Sequence, residues 1–426
     1  MQLSQIRSKI SLGLQQSVLT IVGNAFSTLF SAVALIIISR VLGPQEFGEF
    51  SVGFAIVLIV TRVNDVGLST ILLKYLPRYK SAAERNSLIN FSLAIKLIVF
   101  IVIGVLGLLI SPWLITKLNF SQPIIIYTSF FIVIATVMYE QLLYTLQALH
   151  RFVGSIVMNS VQSVIKVLGI LLFVLLQLKD VNLIFIFYSA VPIIPVLFFA
   201  KFLPKDFRLQ PNLDIKKYQQ LLTSVAPHAA LSYLIAGIVE NIDILFVRNY
   251  LSAYETGLLS GVSKISMFIL LIAYSLGNVL YPRVARYQSS DHMKKYLIKA
   301  SFLSLLCLVA TAGFFPFSNF LIWLTVGSEY LSGSGILNVL AVSSFLTLAS
   351  IPFIALFYAF DSPWLFSISA IGQLIIVLVG NALFVPTYGL EAAAYTKLIS
   401  RLFLFGFSVI VGFYLYRRNY ANANTP

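Results

Sequence analysis

The sequence predicts an all-α integral membrane protein of about twelve transmembrane helices, built as two six-helix halves related by pseudo-two-fold symmetry, with both termini cytoplasmic. Composition is the first observation behind this. The 426 residues are 59% hydrophobic and only 10% charged, with a mean hydropathy of +0.93, whereas a soluble domain carries about 25% charged residues. That is too little polar surface to solvate a globule of this size. The second observation is that apolar runs of about 20 residues recur along nearly the whole chain, the length of a membrane-crossing helix. They are continuous rather than alternating, which argues against a β-barrel. The third is an internal repeat. A polar corner at 39–53, Ser-Arg-Val-Leu-Gly-Pro-Gln-Glu-Phe-Gly-Glu-Phe-Ser-Val-Gly, returns about 209 residues later at 247–261. Arg40 aligns with Arg248, Glu46 with Glu255, Gly48 with Gly257 and Ser51 with Ser260, and Arg78-Tyr79-Lys80-Ser81 reappears as Arg286-Tyr287-Gln288-Ser289. Ordered matches at nearly constant offset indicate two copies of one half.

The elements follow in order. Met1 to Gln16 carries Arg7 and Lys9 and no acid, and reads as a cytoplasmic lead-in, because the apolar run after it is too long for a signal peptide and lacks a cleavage pattern. Spans are expected at 17–39, 50–73, 87–110, 124–146, 154–177 and 183–203, then at 219–248, 258–281, 297–315, 335–358, 365–385 and 390–416. Arg40 ends the first, and Gly43-Pro44 and Glu46-Phe47-Gly48 turn the chain into the second. The longest loop, from Lys201 to Lys217, holds Pro204, Pro211 and several lysines. The domains are therefore an N-terminal bundle at 1–203, a cytoplasmic linker at 204–217 and a C-terminal bundle at 218–426.

Charge sets the orientation. With the N-terminus inside, the inner segments hold 18 Lys and Arg and the outer loops hold 4, namely Arg40, Lys117, Lys179 and Arg248. Most of the net charge of +14 is thus a topology signal. It does not point to nucleic acid, since there is no soluble basic domain to hold one. Six spans per half make both halves enter the membrane in the same direction, related by an axis along the membrane normal, with a cavity between them and alternating access as the natural mechanism. No P-loop, Cys/His metal spacing or nucleophile elbow occurs, so no enzyme and no cofactor is expected. An ion gradient or the cargo's own gradient must supply the energy. Cys307, the single cysteine, lies in an apolar run and reads as a small core residue.

Seven basic residues fall within expected spans: Arg62, Lys96, Lys166, Lys264, Lys299, Lys397 and Arg401. A cation at mid-bilayer costs at least about 2.5–3.5 kcal/mol. Lys299 is close enough to the cytoplasmic end to snorkel. The others need a wet cavity or a partner. The acids within spans are Asp65, Glu140, Glu240 and Asp243, with Glu391 at an outer edge. Seven bases against four acids predict a net positive lumen. Arg62 and Asp65, three apart, share a helix face and are expected to pair, which reads as a structural pair as readily as a ligand site. Glu140 reads as a hydrogen-bonded core group or an ion-coupling residue, and Lys166 and Lys264 as cargo ligands or interhelical partners of acids. Lys397 and Arg401, four apart with no acid on their own helix, form a cationic face suited to anionic cargo. His228, after Pro227, reads as a hydrogen-bonder at a kink.

These residues carry a family resemblance. The corner at 39–51 is similar to the first periplasmic loop of the polysaccharide-biosynthesis flippases, the Wzx-type O-antigen and exopolysaccharide exporters of the MOP (multidrug/oligosaccharidyl-lipid/polysaccharide) superfamily. Asn64-Asp65-Val66-Gly67-Leu68 resembles that family's second-span pattern, Asn241-Ile242-Asp243 its seventh-span counterpart, and Val326-Gly327-Ser328-Glu329-Tyr330 the loop before its tenth span. Pro386-Thr387-Tyr388-Gly389-Leu390-Glu391-Ala392-Ala393 resembles the element before its last span, with Glu391 where a glycine is usual. The resemblance covers the whole chain and implies a MATE/MOP-like fold in a bacterial inner membrane. It implies a flippase that moves undecaprenyl-pyrophosphate-linked oligosaccharide for O-antigen, capsule or exopolysaccharide synthesis, among membrane lipids and with a polysaccharide polymerase and chain-length regulator as partners. Arg62, Lys96, Lys166, Lys264, Lys397 and Arg401 would then hold the anionic head group. Asp65, Glu140, Glu240 and Asp243 would couple ions or gate. Three rivals stand beside this reading. A MATE-like multidrug antiporter with cationic cargo would favour an acidic lumen. A lipid II-type flippase typically has two further spans. A non-transporting assembly scaffold would not need buried charges in both halves.

Overall fold

The computed structural model describes residues 2–203, 210, 214–224, 226–284, 290–360, 362 and 364–420, and no strand forms among them. The second copy of the repeated polar loop, Arg286 to Ser289, and most of the expected linker lie outside the described residues. Ten of the described helices are long and apolar enough to cross a membrane, and the chain is a multi-pass membrane protein. It forms two compact units. One comprises the residues up to Ile38 together with Val52–Gly237, and the other comprises Ser39–Ser51 together with everything from Ile238 on.

The chain begins with α1 (Gln2–Asp65), a bent helix that carries the first expected span and most of the second, and whose residues 39–51 belong to the second unit. The corner expected to be a loop is a kink at Gly43, whose φ of 70° only glycine adopts without strain, followed by Pro44. The helix breaks at Asp65, where Val66 and Gly67 take φ of 48° and 76°, and resumes as α2 (Leu68–Tyr75). Then come α3 (Ala82–Lys117), α4 (Pro123–Ala148) and α5 (Phe152–Leu175). The sixth expected span is split into α6 (Val181–Ala190) and α7 (Ile193–Phe199) around Pro192. The central helix is α4, which packs against α2, α3, α5, α6 and α7. Ile101, Val105 and Leu109 of α3 stay exposed, as a lipid-facing surface requires.

The end of the expected linker is a helix of its own, α8 (Ile215–Ser224), which corrects the start expected for the seventh span. Its Ile-Lys-Lys-Tyr-Gln-Gln-Leu sequence is amphipathic, with Lys216 and Lys217 exposed and Tyr218 buried. Tyr218 packs its ring 4.5 Å from that of Phe91, and its hydroxyl is 2.7 Å from the Ser87 hydroxyl. Leu68, Leu72 and Leu88 close the same cluster. An aromatic contact, a hydrogen bond and the leucine cluster explain why this segment is a packed helix rather than a free linker.

Next is α9 (Ala226–Tyr250), of which the part from Ile238 on belongs to the second unit. That unit continues with α10 (Ala253–Val284), α11 (Ser290–Phe314), α12 (Ser318–Leu324), α13 (Ser334–Ala359), α14 (Trp364–Tyr388) and α15 (Leu390–Tyr420). Here α13 is central, packed against α10, α11 and α15. The two central helices, α4 and α13, coincide with the spans expected at 124–146 and 335–358, the fourth expected in each half.

The repeated corners meet within the second unit. A Cβ placed on Gly48 would lie 1.9 Å from the carbonyl oxygen of Ala253, and one on Gly257 would lie 1.7 Å from that of Pro44. The two aligned glycines thus let two backbones touch. Beside them Arg248 bridges Glu49 at 2.9 Å with both side chains buried. Tyr330 donates its hydroxyl to the Ser39 carbonyl at 2.9 Å, and Arg40 donates to the Leu324 carbonyl at 3.3 Å.

Candidate functional site

The charges inside the spans are brought together by helix periodicity, and the partners are on neighbouring helices. In the first unit Lys96 of α3 meets Asp65 at the end of α1, with Nζ 2.8 Å from Oδ1; the two side chains are only 2% and 3% exposed. Asp65 also accepts from the backbone N–H of Ser69 at 3.3 Å and from the Ser69 hydroxyl, so it caps α2 across the Val66-Gly67 break. Lys96 donates to Ser69 Oγ at 2.9 Å, and Asn64 donates to the Lys96 carbonyl at 3.1 Å. The Asn-Asp-Val-Gly-Leu pattern therefore encodes a helix break sealed by a buried ion pair. Arg62 reaches Glu140 of α4 at 3.3 Å. These pairings correct the expected Arg62–Asp65 pair. The positive φ at Val66 and Gly67 ends the helix at Asp65, whose carboxylate turns to the backbone N–H and hydroxyl of Ser69 in the next helix.

Lys166 of α5 is buried and makes no ion pair among the described residues. Its ammonium lies 4.3 Å from the centroid of the Tyr188 ring. An aromatic face stabilises a cation by about 0.5–2 kcal/mol without neutralising it.

In the second unit two ladders face each other. Glu240 and Asp243, three apart on α9, present their carboxylates to Lys397 and Arg401, four apart on α15. Lys397 Nζ is 2.9 Å from Asp243 Oδ2 and 3.3 Å from the carbonyl of Glu240. Arg401 bridges Glu240 and also donates to Oε1 of Gln373 on α14. The earlier acid pairs with the later base, so α9 and α15 run antiparallel here. Lys264 of α10 makes no ion pair among the described residues, although it is near enough to Asp243 and Lys397 to feel both charges.

All four acids within the spans are thus bound to four of the seven cations. The positive excess is confined to Lys166, Lys264 and the peripheral Lys299. The cationic face of Lys397 and Arg401, which has no acid on its own helix, is satisfied by α9. Sequence reasoning missed Tyr188, Gln373 and Ser69, which complete these clusters. A lone amide in an apolar span is the signal that could have found Gln373. The side chain of His228 lies outside the described ones.

The family model described as "Polysaccharide biosynthesis protein" matches residues 14–288. A putative O-antigen transporter of Shigella flexneri is 24% identical over 369 residues, covering 80% of this chain and 84% of that protein. Among solved structures, the lipid II flippase MurJ in an inward closed conformation superposes with a TM-score of 0.76 at 13% identity, over 92% of this chain and 87% of that one. An inward-facing multidrug resistance MATE family transporter of the MOP superfamily superposes with a TM-score of 0.67 at 14% identity, over 95% and 99%. The structural matches establish the shared fold.

Proposed function

We propose, since the chain belongs to the polysaccharide biosynthesis protein family, that it flips an undecaprenyl-pyrophosphate-linked oligosaccharide across the bacterial inner membrane for surface-polysaccharide assembly. The family consists of membrane transporters and not enzymes, so the residues to account for are those that hold and release cargo. In this reading the chain crosses the membrane twelve times with both termini cytoplasmic, in the 1–203 and 218–426 halves that the sequence repeat suggests. The head group is exposed alternately to the two sides.

The observation that supports this most is the pair of membrane-embedded lysines without an ion pair among the described residues, Lys166 in one unit and Lys264 in the other. A cation held in a low-dielectric setting without a fixed counter-ion attracts an anion strongly, and a pyrophosphate supplies one with strong acceptor oxygens. A cationic drug would be repelled. Arg62, Lys96, Lys397 and Arg401 then contribute to the cargo path only when released from their carboxylates. Asp65, Glu140, Glu240 and Asp243 take an ion-coupling role only by exchanging a tethered ammonium or guanidinium for a proton or a sodium ion. Polymerase and chain-length regulator are the partners this reading adds.

The test is a leaflet-resolved measurement of lipid-linked oligosaccharide in a deletion strain. The intact gene is expected to clear an accumulation on the cytoplasmic face, and a Lys166→Met/Lys264→Met variant present at normal level is expected not to. Clearance by both would keep the flippase and discard the two lysines. No accumulation in the deletion strain would overturn the flippase reading itself.

A further inference from the structure

At one end of the second unit, where the charge bias of the sequence places the cytoplasm, the structure holds a second cationic feature outside the network described above. The first turns of α11 carry His292, Lys295 and Lys299 at spacings of three and four, which puts them on one helix face. Arg283, in the last turn of α10, faces them. Together they line a cavity of about 400 Å³ whose apolar wall is Leu280, Leu303 and Pro352. Tyr296 braces it by donating its hydroxyl to the carbonyl of Pro352 at 2.8 Å, which ties α11 to α13.

Among the described residues one ion pair compensates the charge here. Lys295 is bridged to Asp291 at 2.7 Å. Arg283 and Lys299 make no ion pair among the described residues. Two cations without an ion pair among the described residues, set over an apolar wall, suit an anion that brings hydrocarbon with it. The surface next to the cavity adds the rest. Ile298, Phe302 and Leu306, spaced by four, run along α11 from the level of Lys299 as an exposed apolar stripe, a track for a chain in the bilayer. Anionic lipids are concentrated in the cytoplasmic leaflet and are drawn to basic pockets at this depth.

We propose that this cavity binds a phosphate group, supplied by the head group of an anionic membrane lipid, with Arg283 and Lys299 as its ligands and an acyl chain along Ile298, Phe302 and Leu306. Arg283 offers a planar fork that matches two phosphate oxygens, and Lys299 a point charge. The cavity is within the size of small-ligand sites.

The experiment titrates the purified full-length protein, in zwitterionic micelles, with a fluorescent phosphatidylglycerol and with a phosphatidylcholine of the same chains. Phosphatidylglycerol is expected to bind at least about tenfold more tightly, since each basic residue near such a head group contributes measurably. Arg283→Gln/Lys299→Gln is expected to erase that preference, and Arg283→Lys/Lys299→Arg to keep it within about twofold. Lys294→Gln/Arg418→Gln removes the same charge from exposed positions outside the cavity and is expected to leave the preference unchanged. All four of these altered positions are exposed, and an unchanged unfolding midpoint without lipid confirms that each variant is folded. Equal binding by Arg283→Gln/Lys299→Gln, or equal loss in the control variant, would overturn the site. Displacement of the lipid by millimolar inorganic phosphate would assign the cavity to a soluble phosphate and overturn the lipid source.

Discussion

Replacing Lys96 with Met removes the ammonium that Asp65 holds at 2.8 Å in surroundings that leave both side chains almost fully buried. At that distance the attraction is about 6 kcal/mol for an effective dielectric of about 20. Most of it offsets the desolvation of the two charges, so the pair itself contributes little net stability. Breaking it from one side is different, because it strands a buried carboxylate and costs about 3–5 kcal/mol. Asp65 keeps the Ser69 backbone N–H at 3.3 Å and the Ser69 hydroxyl, which places the expected loss at the lower end of that range. Lys96→Met and Asp65→Asn are therefore each expected to lower the midpoint of thermal unfolding in detergent. The double variant is expected to recover most of the loss, because Asn still caps α2 and no lone charge remains. Transport by the double variant separates the two roles of the pair. Export at parental rate marks it as structural, and stable protein without export marks a direct part in cargo or ion handling. A Lys96→Met variant as stable as the parent would refute the reasoning, since it would mean that Asp65 is solvated or protonated in the folded protein.

Two further predictions follow from the geometry. Gly48→Ala or Gly257→Ala drives a methyl group into a backbone carbonyl less than 2 Å away, so a stability loss at or above the usual 1–3 kcal/mol of overpacking is expected. Gly406→Ala on α15, with nothing within 4 Å of the added carbon, is the control and is expected to be neutral or slightly stabilising in the same unfolding assay. Lys397→Ala/Arg401→Ala strands Glu240 and Asp243 and is expected to reduce the amount of protein in the membrane, as read by immunoblot. Adding Glu240→Gln/Asp243→Asn is expected to restore that amount, and failure to do so would mean that the carboxylates are not what destabilises the double variant.

The fold was legible because the membrane restricts the choices. Long, continuously apolar runs leave only helices, and the aligned Gly48 and Gly257 are where two backbones come into contact. The corner at Gly43 was legible as a bend and not as a continuous helix, because Gly-Pro reads as a break although Pro lacks the N–H that a bent helix would otherwise leave unbonded. The start of α8 was missed for a related reason. Its polar residues read as linker, and the burial of Tyr218 depends on Phe91 and Ser87, more than 120 residues away. The charged candidates were legible as a set, since no other residues within apolar runs demand explanation so strongly. Their pairing was not. Spacing along one helix shows which charges share a face, and it is silent about the helix opposite. Arg62 and Asp65 satisfied the local rule and still found partners on α4 and α3.

That distinction decides how the charge excess should be read. Counted along the chain, seven intramembrane cations against four acids describe a diffusely positive interior. Counted across the helices, the same residues are four crosslinks and three remaining lysines, one of them peripheral. Each crosslink joins helices that are apart in sequence: α1 to α3, α1 to α4, and α9 to α15 twice. A pair of this kind is nearly neutral in energy while intact and costly with one partner removed. It fixes which helices are neighbours without adding much stability, and it leaves an alternative partner, such as an anionic head group or a small ion, able to compete for either charge at little net cost. Lys166 and Lys264 have no such counter-ion among the described residues. A membrane-embedded lysine with no carboxylate to offset its desolvation gains the most from an incoming anion, and for that reason these two, rather than the Lys397 and Arg401 face, are the charges on which the proposed recognition of a pyrophosphate chiefly rests.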